Sequence, residues 1–95
     1  MRLAVLGAGA VGSRAARQLA STPGVDALTV VDPDVRRVGT VCESIGPIAT
    51  PSTSPDVDRA GHDVVVLAGP GKHHRDQAER ALEAGASVVS CTDEL

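Results

Sequence analysis

Apolar residues in this chain fall into short continuous blocks, separated by segments where they recur every three or four positions. Leu3-Ala4-Val5-Leu6 and Val64-Val65-Val66-Leu67-Ala68 are unbroken runs of strand length, the pattern of a parallel strand covered on both faces. Ala27 to Val31, Ile48-Ala49-Thr50 and Ser87-Val88-Val89-Ser90 predict three more strands. The intervening segments have helical spacing. Val11, Ala15, Ala16, Leu19 and Ala20 make a narrow apolar stripe, with Arg14, Arg17 and Gln18 opposite and turn chemistry at Ser21-Thr22-Pro23-Gly24. Val35, Val38, Val41, Cys42 and Ile45 form the inner face of a second helix, with Pro33 in its first turn and Asp34 complementing its positive end. Gly39 weakens that helix by about 1 kcal/mol relative to Ala, and Gly46-Pro47 ends it. Pro51-Ser52-Thr53-Ser54-Pro55 predicts a loop, with Ser54 capping a short helix from Pro55 to about Ala60. A last helix, about His73 to Ala84, puts His74, Ala78, Ala81 and Leu82 on one face and stops at Gly85.

Strands that alternate with helices, joined by right-handed crossovers, predict an α/β fold. The expected form is a Rossmann-type doubly wound parallel sheet of order 3-2-1-4-5, ending before the sixth strand that such folds usually carry. An open fifth-strand edge invites pairing, so a homodimer is an expectation.

Composition sharpens this picture. The 95 residues make one small domain without Phe, Tyr or Trp, so its core must come from Val, Leu, Ile and Ala. A net charge of −3, with both signs interspersed and no aromatic ring to stack on bases, argues against nucleic acid as the main ligand. Cys42 and Cys91 lie in apolar contexts without a disulfide framework, and a reducing cytoplasm is the expected compartment. The first apolar run is broken by glycines and needed as a strand, so it is not read as a signal peptide, and no stretch is long enough to span a membrane.

The first strand leads directly into Gly7-Ala8-Gly9-Ala10-Val11-Gly12, a G-x-G-x-x-G sequence that opens a helix. Gly7 permits a tight turn, Gly9 lets backbone approach a pyrophosphate, and Gly12 lets the helix lie close on the sheet. Helix-start amides favour an anion there. Asp32 ends the second strand 20 residues beyond Gly12, where a carboxylate accepts hydrogen bonds from ribose hydroxyls. Its charge repels a 2′-phosphate and favours NAD over NADP, although Arg36 and Arg37 partly offset this. Ligands in such a sheet bind at the switch between strands one and four. That brings the Gly7–Gly12 loop to the Ala68–Lys72 loop, with Cys91 and Thr92 at the border. His74, in a first helical turn, reads either as a helix-end residue bonded to backbone or as a cofactor or substrate contact. His62 and His73 are expected to face solvent. Adjacent His73 and His74 diverge on the helix, and no cysteine–histidine spacing supports zinc. Gly69-Pro70-Gly71-Lys72 lacks P-loop spacing. Cys42 reads as a core residue, and Cys91 as an unreactive strand end rather than a reactive thiol.

Taken together, Gly7-x-Gly9-x-x-Gly12, Val30-Val31-Asp32, Asp63 to Pro70, His74 and Ala81-Leu82-Glu83-Ala84-Gly85 resemble the N-terminal domain of saccharopine dehydrogenase-like oxidoreductases. The same features recur in glucose–fructose oxidoreductase-like dehydrogenases, while Val89-Ser90-Cys91-Thr92-Asp93 leans toward the saccharopine group. The resemblance covers essentially the whole chain. It implies a domain that holds NAD, with NADP as the alternative. In that role Gly7, Gly9, Ala10, Val11 and Gly12 would hold pyrophosphate, Asp32 the ribose, and Ala68, Gly69 and Pro70 the nicotinamide half, with His74 a further candidate. Gly71 departs from the second proline that many relatives carry. The resemblance also implies a C-terminal domain, outside these residues, that binds substrate and completes hydride transfer. No acid–base pair stands out, so no catalytic residue is named. Two other readings stay open: a regulatory nucleotide sensor that signals through a dimer face, against which the Ala81–Gly85 helix end argues, and a scaffold that binds nothing.

Overall fold

Five parallel strands lie side by side in the order β3-β2-β1-β4-β5, as expected for a doubly wound sheet. The structure, a computed structural model, describes residues 1–54 and 61–91. In chain order the elements are β1 (Arg2–Leu6), α1 (Ala10–Ala20), β2 (Ala27–Val31), α2 (Val35–Ile45), β3 (Ala49–Ser52), β4 (Val64–Leu67), α3 (His74–Glu83) and β5 (Ser87–Ser90). A 3₁₀ turn at Gly71–His73 leads into α3. The helix expected from Pro55 to Ala60, and Thr92 at the expected border of the site, lie outside the described residues.

Register aligns the strand ends. Leu6 sits opposite Val31 of β2 and Leu67 of β4, so β1 and its two neighbours finish level. Alternation along each strand divides the core in two. Leu3, Val5, Leu28, Val30 and Val66 face α1 and α2, where they meet Ala16, Val38, Val41 and Cys42. Ala4, Leu6, Val31, Val65 and Leu67 face the other way, toward Ala81 and Ala86. The largest fully buried side chains are Leu28, Leu67, Val5, Val30, Val38 and Val65, all aliphatic. No helix among the described residues is long and apolar enough to cross a membrane.

Several expectations need correction. β3 starts one residue later than predicted and continues through Pro51 to Ser52, into the expected loop. The backbone amides of Leu28 and Asp32 donate to the Ile48 and Ser52 carbonyls, so the nitrogen of Pro51 faces the open edge, where no ladder bond is lost. Pro33 precedes α2 rather than opening it. Asp34 is the N-cap, and its carboxylate accepts from the Arg36 and Arg37 amides at 3.0 and 3.2 Å. Val11, Val35 and Leu82 are exposed. The inner stripe of α1 begins at Gly12 instead of Val11, because only a residue without a side chain fits against the Gly7 carbonyl. Val35 lies in the first turn of α2, past the end of β2, and Leu82 flanks a stripe centred on the smaller Ala81. His62 is buried rather than solvent-facing, with Nε2 3.2 Å from the Thr29 hydroxyl on the α3 side of the sheet.

Candidate functional site at the strand ends

Three glycines shape the end of β1, each differently. Gly7 has φ +111°, a backbone region that favours glycine, and its amide donates to the Val31 carbonyl at 2.7 Å. A Cβ there would stand 2.6 Å from the Gly69 nitrogen and 2.8 Å from the Ala68 carbonyl carbon, so the loops after β1 and β4 touch backbone to backbone. A Cβ on Gly12 would stand 1.8 Å from the Gly7 carbonyl oxygen. Gly9 is the opposite case: its backbone is ordinary, and an added Cβ meets nothing within 4 Å. It is the N-cap of α1, no side chain caps the helix, and the first helical bond runs from the Ser13 amide to the Gly9 carbonyl at 2.9 Å. The amides of Ala10, Val11 and Gly12 therefore precede the helical ladder and point off the helix end.

Asp32 is buried beneath this turn, 7% exposed. Its Oδ2 accepts from the Ala8 amide at 2.8 Å and its Oδ1 from the Asp34 amide at 2.9 Å. Arg37 Nη1 lies 3.8 Å from Oδ2. A carboxylate has about four acceptor positions, so capacity remains for ligand hydroxyls after the two amides are bound. Across the sheet, His74 fixes the loop after β4. The Gly69 carbonyl can only accept, so the proton is on Nε2, which donates to it at 2.8 Å. In the neutral ring Nδ1 then accepts from the Ser90 hydroxyl at 3.0 Å.

A cavity of about 430 Å³ opens between these loops, within the usual range for small-molecule sites. Leu6, Gly7, Gly9 and Val31 contribute from the ends of β1 and β2. Asp32, Pro33, Arg37 and Thr53 line it from the segments after β2 and β3, and Ala68, Gly69, Pro70, His73 and Gln77 from the loop after β4 and α3. The structure thus brings together Gly7, Gly9, Asp32, Ala68, Gly69 and Pro70. Ala10, Val11 and Gly12 begin α1 beside the cavity without lining it. His74 supports its wall through Gly69 instead of reaching into it. Thr53 and Gln77 were missed. The signal for Gln77 was its place one turn into α3, the helix fed by the loop after β4.

Neither cysteine lines the cavity, so Cys91 does not border it as expected. Cys42 is in the core, where burial pushes its thiol up. Cys91 packs against the same core and is partly buried. Among the described residues no three His, Cys, Asp or Glu side chains cluster to hold a metal ion.

Fold and site together define a dinucleotide-binding α/β domain: level strand ends, a glycine turn, an uncapped helix start and a strand-end carboxylate. Residues 1–90 match the profile of an oxidoreductase family with an NAD-binding Rossmann fold, GFO/IDH/MocA, and the chain belongs to that family. Of the two groups that the sequence resembles, this agrees with the glucose–fructose oxidoreductase-like one. The myo-inositol dehydrogenase of Corynebacterium glutamicum is 30% identical, with a TM-score of 0.82 over 95% of this chain and 27% of that one. The scyllo-inositol dehydrogenase of Lactobacillus casei, solved with NAD(H) and scyllo-inositol, is 22% identical, with a TM-score of 0.82 over 95% and 27%. Saccharopine dehydrogenase of Saccharomyces cerevisiae, 21% identical, has a TM-score of 0.79 over 99% and 22%. The chain thus spans about a quarter of the length of these structures. No curated protein sequence matches it.

Proposed function

We propose that this chain is the cofactor-holding part of an NAD-dependent dehydrogenase acting on a secondary alcohol of a cyclic polyol, with substrate binding and proton transfer supplied by residues outside it. The observation that carries the reading is the open space at Gly9, in front of an uncapped helix start and beside the Asp32 carboxylate. A dinucleotide fits that arrangement. Pyrophosphate takes the free α1 amides, ribose hydroxyls donate to the remaining acceptor positions of Asp32, and the Ala68–Pro70 loop bears on the nicotinamide half. When bound, the nicotinamide ring supplies the hydride acceptor. The polyol assignment follows the inositol dehydrogenases among the structural neighbours. The second reading, an amino-acid dehydrogenase of the saccharopine group, rests on the Val89-Ser90-Cys91-Thr92-Asp93 stretch, which leans toward that group.

Titration with NADH and NADPH, followed by nicotinamide fluorescence, tests the cofactor assignment. Saturable NADH binding tighter than NADPH binding is expected. Asp32→Asn keeps an acceptor for the Ala8 amide but removes the charge, leaving Arg36 and Arg37, so the preference should move toward NADPH by roughly tenfold. Failure of a folded chain to bind either cofactor would overturn the reading.

A further inference from the structure

The peptide between Gly69 and Pro70 has a single hydrogen-bonding group. Proline has no N–H, so only the Gly69 carbonyl can anchor that rigid plane. Among the described residues, the hydrogen bond it accepts comes from His74 Nε2 at 2.8 Å. His74 is held in turn at its other nitrogen, where Nδ1 accepts from the Ser90 hydroxyl at 3.0 Å. That bond keeps the proton on Nε2, in the tautomer that can donate to a carbonyl. One side chain at the start of α3 therefore ties the end of β5 to the loop after β4. The plane it holds carries the Pro70 ring, which lines the cavity. Strand order says which part of a dinucleotide Pro70 meets. Asp32, beyond β2, takes the adenosine ribose, and the glycine turn beyond β1 takes the pyrophosphate. The next strand along is β4, whose loop meets the nicotinamide half.

We propose that His74 is a positioning residue for the nicotinamide half, fixing the Gly69–Pro70 peptide so that Pro70 presents a constant wall to the ring; this rests on the cofactor-domain reading. His74 does not line the cavity, so it acts through Pro70 and not by touching the cofactor. Loss of the Nε2 donor leaves the Gly69 carbonyl without its partner, and the plane can then turn toward water. The adenosine half is held at α1 and the end of β2, and neither hydrogen bond of His74 reaches those elements. The effect therefore falls on one half of the cofactor.

Calorimetric titrations with NADH and with ADP-ribose test this. The two ligands carry the same charge and share adenosine and pyrophosphate, but ADP-ribose lacks the nicotinamide ring. The unaltered chain should bind NADH about tenfold more tightly. His74→Ala should lower NADH affinity roughly fivefold and leave ADP-ribose affinity unchanged. His74→Gln, whose amide nitrogen reaches the place of Nε2, should restore most of the loss. His74→Asn, whose shorter side chain stops at the place of Nδ1, should not. If His74→Ala does not fold, the Gln and Asn variants decide the matter between them. Equal loss of both ligands in His74→Ala, or no loss, would overturn the proposal while leaving the cofactor-domain reading intact. So would equal binding of the two ligands by the unaltered chain, or an Asn variant that binds NADH as well as the Gln variant. Binding of neither ligand by the unaltered chain would sink both readings.

Discussion

Gly9 and Gly12 belong to one motif but answer to different forces. A side chain at Gly12 would run into the Gly7 carbonyl, so Gly12→Ala must push α1 off the turn. Such overpacking typically costs about 1–3 kcal/mol, and each kcal/mol lowers the melting midpoint of a domain this size by roughly 4–8 °C. Gly9→Ala adds a methyl to open space on an unstrained backbone. It should leave the midpoint nearly unchanged and weaken dinucleotide binding by tenfold or more, since the methyl occupies the approach to the α1 amides. Calorimetry beside an NADH titration separates the two; a Gly9→Ala chain with unaltered affinity would place the pyrophosphate elsewhere. Cys42 makes a pH prediction. Burial raises its thiol, so the folded state holds the proton more tightly than the unfolded state does. Stability is therefore retained below the ordinary thiol range and falls as pH rises through it. Denaturant midpoints measured across alkaline pH should drop less in Cys42→Ala than in the parent. The residue scale was also where sequence reading reached least far. Burial of His62 depends on Thr29, a strand residue 33 positions away, and the unpaired oxygen of Gln77 depends on how α3 sits over the cavity. Neither is encoded in neighbouring residues.

Among the elements, α2 joins stability to the site. Asp34 caps its first turn, which holds Arg37 near Asp32. Asp34→Ala should cost about 1 kcal/mol in stability and loosen Arg37, measurable as a lower urea midpoint with a smaller response of NADPH affinity to salt. An unchanged midpoint would show that the cap contributes nothing. The strands were legible because continuous apolar runs of four or five residues suit parallel strands, and glycine spacing marked where β1 turns into α1. β3 was legible only in part. Pro51 looks like a break until the strand is known to lie at the sheet edge, and edge position is a property of the whole sheet. Helix stripes were right where a helix lies over the sheet, as at Val38, Val41 and Ala81, and failed at its overhanging turn, as at Val35.

For the molecule as a whole, strand order followed from alternation and crossover handedness, so the place of the cavity was predictable before its walls were known. Its walls come from segments far apart in sequence, and that is why the glycines and Asp32 were found while Thr53 and Gln77 were not.

The contact between Gly7 and Gly69 has a consequence for how such a domain can diverge. The loops on either side of the switch point leave less room between them than one methyl group needs. A lineage that remodels the loop after β4 to suit a new substrate must therefore keep the backbone at Gly69 in place, or shift the glycine turn with it. Change in this region comes in linked pairs, and a loop transplanted from a relative without its partner would lift the turn that receives the pyrophosphate.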